Sequence, residues 1–354
     1  MKKIAIVIFD ITKYGGTERA VSNLANLLAE SKKYSVSIVS IHSVSGKAAY
    51  ATNTDICLYH LGLIHYNTKI LRLHLYWKII EKLNWLCKEK NIDVVFGTTH
   101  AINIMLYFLL KIVKTIACEH VQYVVAPLSS RLIRKIIYPY LDVIVVLTLS
   151  DKKYYYFHDN VSVIPNSLSF QPSRQSELTN KTILAVGRLT YEKGFDLLID
   201  AVSLIKFKCN GWNIKIIGSG ENESELKKKI QFQGLGDIIK IYPATDAIMQ
   251  EYLEASIFVL SSRYEGFGLV LIEAQSCGLP IVSFNCPGPA EIIHHNEDGL
   301  LIKKRDINKF SEALLELMRN SEKRIQFGKK ALQNVAKYKP ENVFVLWDKL
   351  LDTL

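Results

Sequence analysis

The sequence lacks the short motifs that mark several enzyme classes. Its 354 residues contain no H-E-x-x-H, no G-x-S-x-G and no Walker segment G-x-x-x-x-G-K-[ST]. Metal-dependent hydrolysis, serine hydrolysis and P-loop phosphoryl transfer therefore have no motif to support them. A D-x-D pair, whose two carboxylates suit a divalent cation, is also missing. We accordingly expect no metal site.

Long apolar runs and paired cysteines are also missing. The apolar run Ile4 to Phe9 is six residues long and is followed by Asp10, and the stretch Ile102 to Leu110 is interrupted by Asn103. Both are far shorter than the ~20 residues that cross a bilayer, so we expect neither a signal peptide nor a transmembrane helix. The six scattered cysteines predict reduced thiols in a cytoplasmic protein without a structural zinc site.

Acidic residues are in the minority, and the imbalance lies in one half. The chain has 44 Lys+Arg against 34 Asp+Glu. Residues 1–164 contain 20 Lys+Arg and 11 Asp+Glu, and residues 165–354 contain 24 Lys+Arg and 23 Asp+Glu. A basic half can face nucleic acid or an anionic membrane, because both attract cations through the same field. Charge alone does not choose between them.

Short β-branched runs alternate with helical patterns along both halves. Continuously apolar strands separated by amphipathic helices predict a parallel sheet covered on both faces, and a Pro-, Ser- and Asn-rich break at 165–180 separates two such series. We therefore predict two Rossmann-like doubly wound α/β domains facing a cleft. Their expected bounds are 1–164, joined by a C-terminal helix at 338–354 that crosses back, and 165–337.

Two glycine-containing turns are candidate phosphate sites. Gly15 and Gly16 follow the first strand and precede a helix, an arrangement that presents backbone amides to an anion but equally suits a plain tight turn. In the second half, GRLTYEKG follows a strand and carries Arg188 and Lys193. Both cations suit a diphosphate, although a lone surface cation is more often simply solvated.

Two carboxylates flank a third turn. Glu265 and Glu273 stand eight residues apart across Gly266-Phe267-Gly268, between a strand and a helix. Such a spacing brings a loop carboxylate and a helix carboxylate toward one ligand. His120 follows another strand, where a structural role is the commoner alternative.

Taken in order, these segments resemble a known family. GGTERAV near the N-terminus is followed by GRLTYEKG, IIGSGE, SSRYEGFGLVLIEAQSCGLPIV and EIIHHNEDGLLI. The series resembles the GT-B fold glycosyltransferases of family 4, the retaining hexosyltransferases, over nearly the whole chain. The resemblance implies transfer of a hexose or N-acetylhexosamine from a UDP-sugar, without a cofactor or a metal. It departs at Asn285 to Pro289, a loop shorter than in many relatives, which bears most on donor identity.

The resemblance also implies roles for single residues. Glu265 and His120 would contact the donor sugar and are the expected catalytic residues. Glu273 would contact the ribose of the nucleotide. The donor diphosphate would lie against the remaining candidates, which are Gly16, Arg188, Lys193, Phe267 and Gly268.

The acceptor is expected to be a lipid-linked glycan of bacterial surface-polysaccharide synthesis, as in members of this family. The segment Lys69 to Lys90 mixes cations with Trp77 and Trp85, a composition that suits a helix lying on an anionic membrane. A core helix with a solvated basic face is an equal alternative. We thus expect a cytoplasmic enzyme, peripheral on the inner face of the cytoplasmic membrane.

Three other functions remain open at this point. A GT-B nucleotide-sugar epimerase and a glycogen-synthase-like polymerase share the expected fold, and release of free UDP to an acceptor separates transfer from epimerisation. A basic nucleic-acid-binding protein is the option from another class. No RRM, KH, helix-turn-helix or zinc-finger signature supports it, so we expect no nucleic-acid partner.

Overall fold

The computed structural model describes residues 1–63, 69–109 and 113–354, and only the backbone of residues 69–73. The described residues form two units. The N-terminal unit comprises Met1–Ser167 and Pro340–Leu354, and the C-terminal unit comprises Leu168–Lys339.

In the described part of the N-terminal unit, seven parallel strands form one sheet in the order β3-β2-β1-β4-β5-β6-β7. The order reverses between β1 and β4, the point at which ligands bind in such sheets. The central strands are buried on both faces, which explains their continuous Val and Ile content. The strands are β1 Lys2–Ile8, β2 Tyr34–Ser40, β3 Cys57–His60, β4 Val94–Gly97, β5 Lys114–Glu119, β6 Val143–Val146 and β7 Val161–Val163.

Helices cover both faces of this first sheet. One apolar cluster joins the sheet to α2 and α3, and a second joins its other face to α1 and to the C-terminal helix. On α2 the buried residues include Leu75, Ile79 and Leu83, while Trp77 and Trp85 are exposed. The helices of the unit are α1 Gly16–Glu30, α2 Lys69–Lys90, α3 His100–Leu106, α4 Leu128–Ile137 and α5 Leu149–Lys152, with a 3₁₀ turn at Tyr123–Val125.

The described C-terminal unit repeats the plan with six parallel strands in the order β10-β9-β8-β11-β12-β13. Its main apolar cluster packs α6, α7 and α11 on one face of the sheet. The strands are β8 Thr182–Val186, β9 Asn213–Ile217, β10 Ile239–Tyr242, β11 Ile257–Leu260, β12 Ile281–Phe284 and β13 Gly299–Ile302. The helices are α6 Phe195–Ser203, α7 Glu223–Phe232, α8 Ile248–Glu254, α9 Leu269–Ser276, α10 Pro287–Ile292, α11 Ile307–Arg319 and α12 Ser321–Asn334.

The last helix, α13 Pro340–Asp352, belongs to the N-terminal unit. Its apolar stripe of Val343, Trp347, Leu350 and Leu351 is buried against the first sheet. The Trp347 ring stacks on Phe96 of β4 with centroids 5.3 Å apart. This helix therefore supplies part of the core beneath the central strands.

The prediction of two parallel, Rossmann-like α/β domains is confirmed. The structure adds three strands that the sequence did not indicate, the short β3, β7 and β13. Over the described ranges no helix combines the length and the apolar character needed to cross a membrane.

We predict that Trp347→Ala lowers the free energy of unfolding of the N-terminal unit by about 3–5 kcal/mol, because it leaves a cavity against Phe96. Amide hydrogen exchange in β1 and β4 measures the change. Val345→Ala on the exposed side of α13 is the matched control and should leave exchange unaltered. Equal exchange in the two variants would contradict the packing role of α13.

Candidate active site

Two loops meet at the carboxyl edge of the second sheet. Strands β8 and β11 are paired neighbours, so the loop 187–194 after β8 and the loop 261–268 after β11 leave the sheet side by side. The Ser261 hydroxyl donates to the Lys193 carbonyl over 3.1 Å. The Arg263 amide donates to the Glu192 carbonyl over 2.8 Å. The two loops are therefore joined through their backbones.

Gly194 permits this close approach. Its φ is +63°, and a Cβ at this position would lie 2.2 Å from the Ser261 carbonyl oxygen. Any other residue would face both the left-handed backbone and a backbone clash. Gly194 thus places the preceding residue, Lys193, directly against the second loop.

Lys193 and Glu265 form an ion pair between these loops. The Lys193 Nζ lies 2.7 Å from the Glu265 Oε2, and the Ser262 hydroxyl donates to the same oxygen over 3.3 Å. The side chains retain 22% and 12% of their exposure. The pair is thus largely shielded from water yet still open to a ligand, a setting in which charge acts strongly.

Arg188 lies at the start of the same loop with an exposed side chain. A hydrogen bond from Thr190 holds the pKa of Glu192 below its ordinary value, with smaller contributions from its own amide and from the charges of Arg188 and Lys193. Both cations therefore act on one short segment. The sequence expectation that they work as a pair is compatible with this placement and stays a prediction.

Arg263 and Asp196 form a brace that the sequence did not reveal. Two guanidinium nitrogens of Arg263 donate to the two Asp196 oxygens over 2.7 and 2.5 Å, and one also donates to the Tyr191 carbonyl. The guanidinium lies over the Tyr191 ring, 4.1 Å from its centroid. Burial disfavours the Asp196 carboxylate, but Arg263 outweighs it and keeps the pKa of Asp196 below its ordinary value. The brace fixes the β8 loop relative to the β11 loop.

The turn before α9 depends on a glycine and on contacts from neighbouring segments. Gly268 has a φ of +94° and directly precedes α9. The Phe267 side chain is buried edge-on against Tyr338, so only its backbone can meet a ligand. The Gly288 amide donates to the Glu265 carbonyl over 3.2 Å. The segment 285–289, which runs into the first turn of α10, therefore supports the turn that carries Glu265.

Glu273 lies inside the unit. Its side chain is fully buried, and its two oxygens accept hydrogen bonds from the Ser169 hydroxyl over 2.7 Å and the Tyr252 hydroxyl over 3.0 Å. Neither partner was indicated by the sequence. Because the side chain is fully buried, a ligand hydroxyl can reach Glu273 only if neighbouring side chains move.

His120 and Gly16 belong to the N-terminal unit. The His120 side chain lines a small pocket with Cys118, Ile164 and Trp347, and its Nε2 has no hydrogen-bond partner among the residues described. Burial lowers the pKa of His120 to about 4, so the ring is neutral at pH 7. Gly16 is exposed at the start of α1. The Glu18 carboxylate folds back toward Gly15, so a negative charge already lies near this helix terminus.

Potential metal ligands are scattered over the part of the chain that the structure describes. In the ranges 1–63, 69–109 and 113–354, no group of three or more His, Cys, Asp or Glu side chains is arranged to hold a metal ion.

Comparison with known proteins agrees with these observations. The family model described as "Glycosyl transferases group 1" matches residues 169–334. An uncharacterized glycosyltransferase of Haemophilus influenzae is 34% identical, covering 99% of this chain and 100% of the relative. The amylovoran biosynthesis glycosyltransferase AmsD of Erwinia amylovora is 29% identical over 99% and 100%. A Campylobacter jejuni enzyme is 28% identical over 99% and 98%, and is named as a GalNAc-α-(1->4)-GalNAc-α-(1->3)-diNAcBac-PP-undecaprenol α-1,4-N-acetyl-D-galactosaminyltransferase.

Solved structures share the fold at low identity. Sucrose-phosphate synthase from Thermosynechococcus elongatus superposes with a TM-score of 0.86 at 18% identity, covering 100% of this chain and 99% of that one. TarM of S. aureus, solved with fondaparinux, α-GlcNAc-glycerol and UDP, gives 0.82 at 18% identity over 99% and 100%.

We predict that Gly194→Ala destabilises the C-terminal unit by about 1–3 kcal/mol, because the added Cβ must displace the Ser261 carbonyl. Thermal unfolding measures the loss. Gly236→Ala, where the described residues leave open space around the added methyl, is the matched control. Equal melting temperatures for both variants would show that the two loops are not held as described.

Proposed function

The chain belongs to the group 1 glycosyl transferases, and from that membership we propose the particular reaction that it catalyses. It transfers a hexose or N-acetylhexosamine from a UDP-sugar to a lipid-linked glycan, with retention of anomeric configuration. The observation that carries the proposal is the Lys193–Glu265 ion pair at the carboxyl edge of the second sheet. A pair of opposite charges that remains open suits a donor with both an anionic and a hydroxyl-rich part.

The diphosphate part of the donor is assigned to the cationic side of the pair. Lys193 and the exposed Arg188 offer two positive charges, and the turn at Phe267 and Gly268 offers backbone amides at the N-terminus of α9. When a diphosphate binds, it takes over the Lys193 ammonium. Gly16 of the N-terminal unit is proposed to contribute amides to the same phosphates.

The sugar part is assigned to Glu265. The Glu265 carboxylate is proposed to accept hydrogen bonds from donor hydroxyls once the diphosphate engages Lys193. Glu273 is proposed to accept a hydrogen bond from the ribose, beside or in place of the one from Ser169. The neutral ring of His120 is proposed to contact the donor sugar through Nε2.

Rate acceleration then comes from the leaving group. Negative charge grows on the diphosphate as its bond to the sugar breaks, so cations and amides fixed beforehand stabilise the transition state more than the ground state. Arg188 and Lys193 thereby serve in place of a divalent ion. We propose attack on the same face of the sugar, with the leaving phosphate accepting the proton of the acceptor hydroxyl, and assign no protein base.

The acceptor proposal rests on relatives and on charge. One relative is named for amylovoran biosynthesis and another for a glycan on PP-undecaprenol. The excess of Lys and Arg in residues 1–164 suits such an anionic, membrane-borne acceptor. We therefore propose a role in bacterial surface-polysaccharide synthesis on the cytoplasmic face of the membrane, with the exposed cations and tryptophans of α2 toward the lipid.

We predict that Glu265→Gln lowers kcat by about 10²–10³-fold, because the carboxylate that contacts the sugar loses its charge. Release of UDP from a panel of UDP-sugars with a lipid-linked glycan acceptor measures turnover. Glu251→Gln is the matched control, since Glu251 forms a comparable ion pair with Lys215 at 2.9 Å in the same unit. Equal turnover in both variants would remove Glu265 from the reaction.

We also predict that turnover is unchanged by EDTA, because protein cations neutralise the leaving diphosphate. The same UDP-release measurement, with and without chelator, tests this. Loss of activity in EDTA that Mg²⁺ or Mn²⁺ restores would contradict the assignment of Arg188 and Lys193.

A further inference from the structure

Helix α4 is amphipathic in the reverse sense to α1 and α13 of its unit. Leu128, Leu132 and Ile136 stand four residues apart on its outer side and are 72%, 62% and 66% exposed. The residues that it buries are instead polar, Ser130 and Arg134. A surface helix of a globular protein normally turns its apolar stripe inward.

The inner side of α4 contributes Arg134 to a buried network of charged and polar side chains. The Arg134 guanidinium lies 3.5 Å from the Glu119 carboxylate and donates to the Tyr155 hydroxyl over 3.2 Å. The Tyr138 hydroxyl donates to the same carboxylate, and Asn103 donates to it over 3.0 Å. Rotating α4 to bury its leucines would expose the hydrogen-bonded network and break it. The buried polar contacts therefore fix the rotation of α4 and keep its apolar stripe on the outside.

The exposed stripe continues into neighbouring elements. The Tyr140 ring contacts Tyr107 at 5.3 Å, Tyr107 contacts Phe108 at 5.1 Å, and Phe108 contacts Trp77 of α2 at 6.3 Å. The 3₁₀ turn before α4 adds further exposed valines. We call this the apolar surface, made of Trp77, Tyr107, Phe108, Val124, Val125, Leu128, Leu132, Ile136 and Tyr140.

Lysines outnumber carboxylates around the apolar surface, although Glu81 of α2 is exposed one turn from Trp77. Residues 121–141 contain no Asp or Glu, and their cations are the exposed Lys135, the half-buried Arg131 and the buried Arg134. Lys135 is exposed beside the stripe, where it donates to the Tyr156 hydroxyl over 3.0 Å. Exposed Lys152 and Lys153 follow on the next segment, and Lys78 and Lys82 extend from α2. Aliphatic side chains with aromatic residues and lysines beside them match the interface of an anionic bilayer.

We propose that the apolar surface docks the protein on an anionic phospholipid bilayer. Helix α4 lies in the interface with Leu128, Leu132 and Ile136 in the acyl region, and the aromatic residues and lysines lie at the level of the headgroups. The inference deepens the proposed function, on which it rests for the acceptor. It also gives the principal contact to α4, whereas the sequence indicated only α2. Because β5 ends at Glu119, the same network joins the docking helix to the segment that carries His120.

Vesicle binding of the full chain, without donor or acceptor, tests the docking directly. Co-sedimentation uses vesicles of phosphatidylcholine alone and of phosphatidylcholine with phosphatidylglycerol. The wild type should bind the anionic vesicles, and the double variant Leu132→Ser/Ile136→Ser should bind at least about tenfold more weakly. Phe207→Ser/Phe232→Ser is the matched control, since these residues of the C-terminal unit are 90% and 93% exposed; it should bind like the wild type. Equal binding by the two double variants would overturn the proposal.

The charge requirement is tested separately. Lys152→Gln/Lys153→Gln should weaken binding to anionic vesicles several-fold at low salt, while Lys227→Gln/Lys228→Gln on α7 should not. Equal binding of the wild type to the neutral and the anionic vesicles would contradict an anionic partner.

A second copy of the chain is the competing occupant. Light scattering that finds a wild-type dimer, a monomeric Leu132→Ser/Ile136→Ser variant and no vesicle binding would overturn docking in favour of self-association. UDP release with a water-soluble glycan acceptor separates membrane docking from the transfer reaction. The Leu132→Ser/Ile136→Ser variant should retain turnover with this acceptor. Vesicle binding without turnover by the wild type would reject the proposed reaction alone, and turnover without vesicle binding would reject the docking alone.

Discussion

The ion pair between Lys193 and Glu265 joins the two loops at the carboxyl edge of the second sheet, and the proposed donor binding depends on it. Two loops from neighbouring strands must approach closely enough for a 2.7 Å contact. Gly194 permits the approach, and the Arg263–Asp196 brace holds it. Charges fixed in this way need little reorganisation when a ligand replaces one partner. This single contact sets a cation and a carboxylate at one place, where the two parts of the proposed donor would bind.

A second ion pair, between Glu119 and Arg134, is buried and has a structural role. Both side chains are almost fully buried, and their partners are tyrosine hydroxyls and an asparagine amide. Such a pair costs desolvation energy, and removing one partner would leave an uncompensated buried charge. Its consequence is architectural: it fixes the rotation of α4 and so turns an apolar stripe outward. The first pair thus brings two loops together, and the second shapes the surface of the N-terminal unit.

Much of this organisation could be predicted from the sequence because it is written in local patterns. Continuous Val and Ile runs predicted the central strands, and strand-glycine-helix order predicted where the loops at Arg188 and Glu265 begin. Edge strands such as β3 and β7 have three or four residues, too few for a periodic signal. The Arg263–Asp196 brace joins residues 67 positions apart, and no local pattern carries that information. The orientation of α4 was hidden for the same reason, since its buried partners come from other elements. The burial of Glu273 likewise depends on Ser169 and Tyr252, both distant in sequence.

A crystal structure of the protein with bound UDP-sugar tests the central claim most directly. We expect a diphosphate oxygen within hydrogen-bond distance of the Lys193 Nζ, and the Glu265 carboxylate turned from the lysine toward a sugar hydroxyl. A nucleotide bound elsewhere, with the Lys193–Glu265 contact intact, would contradict it.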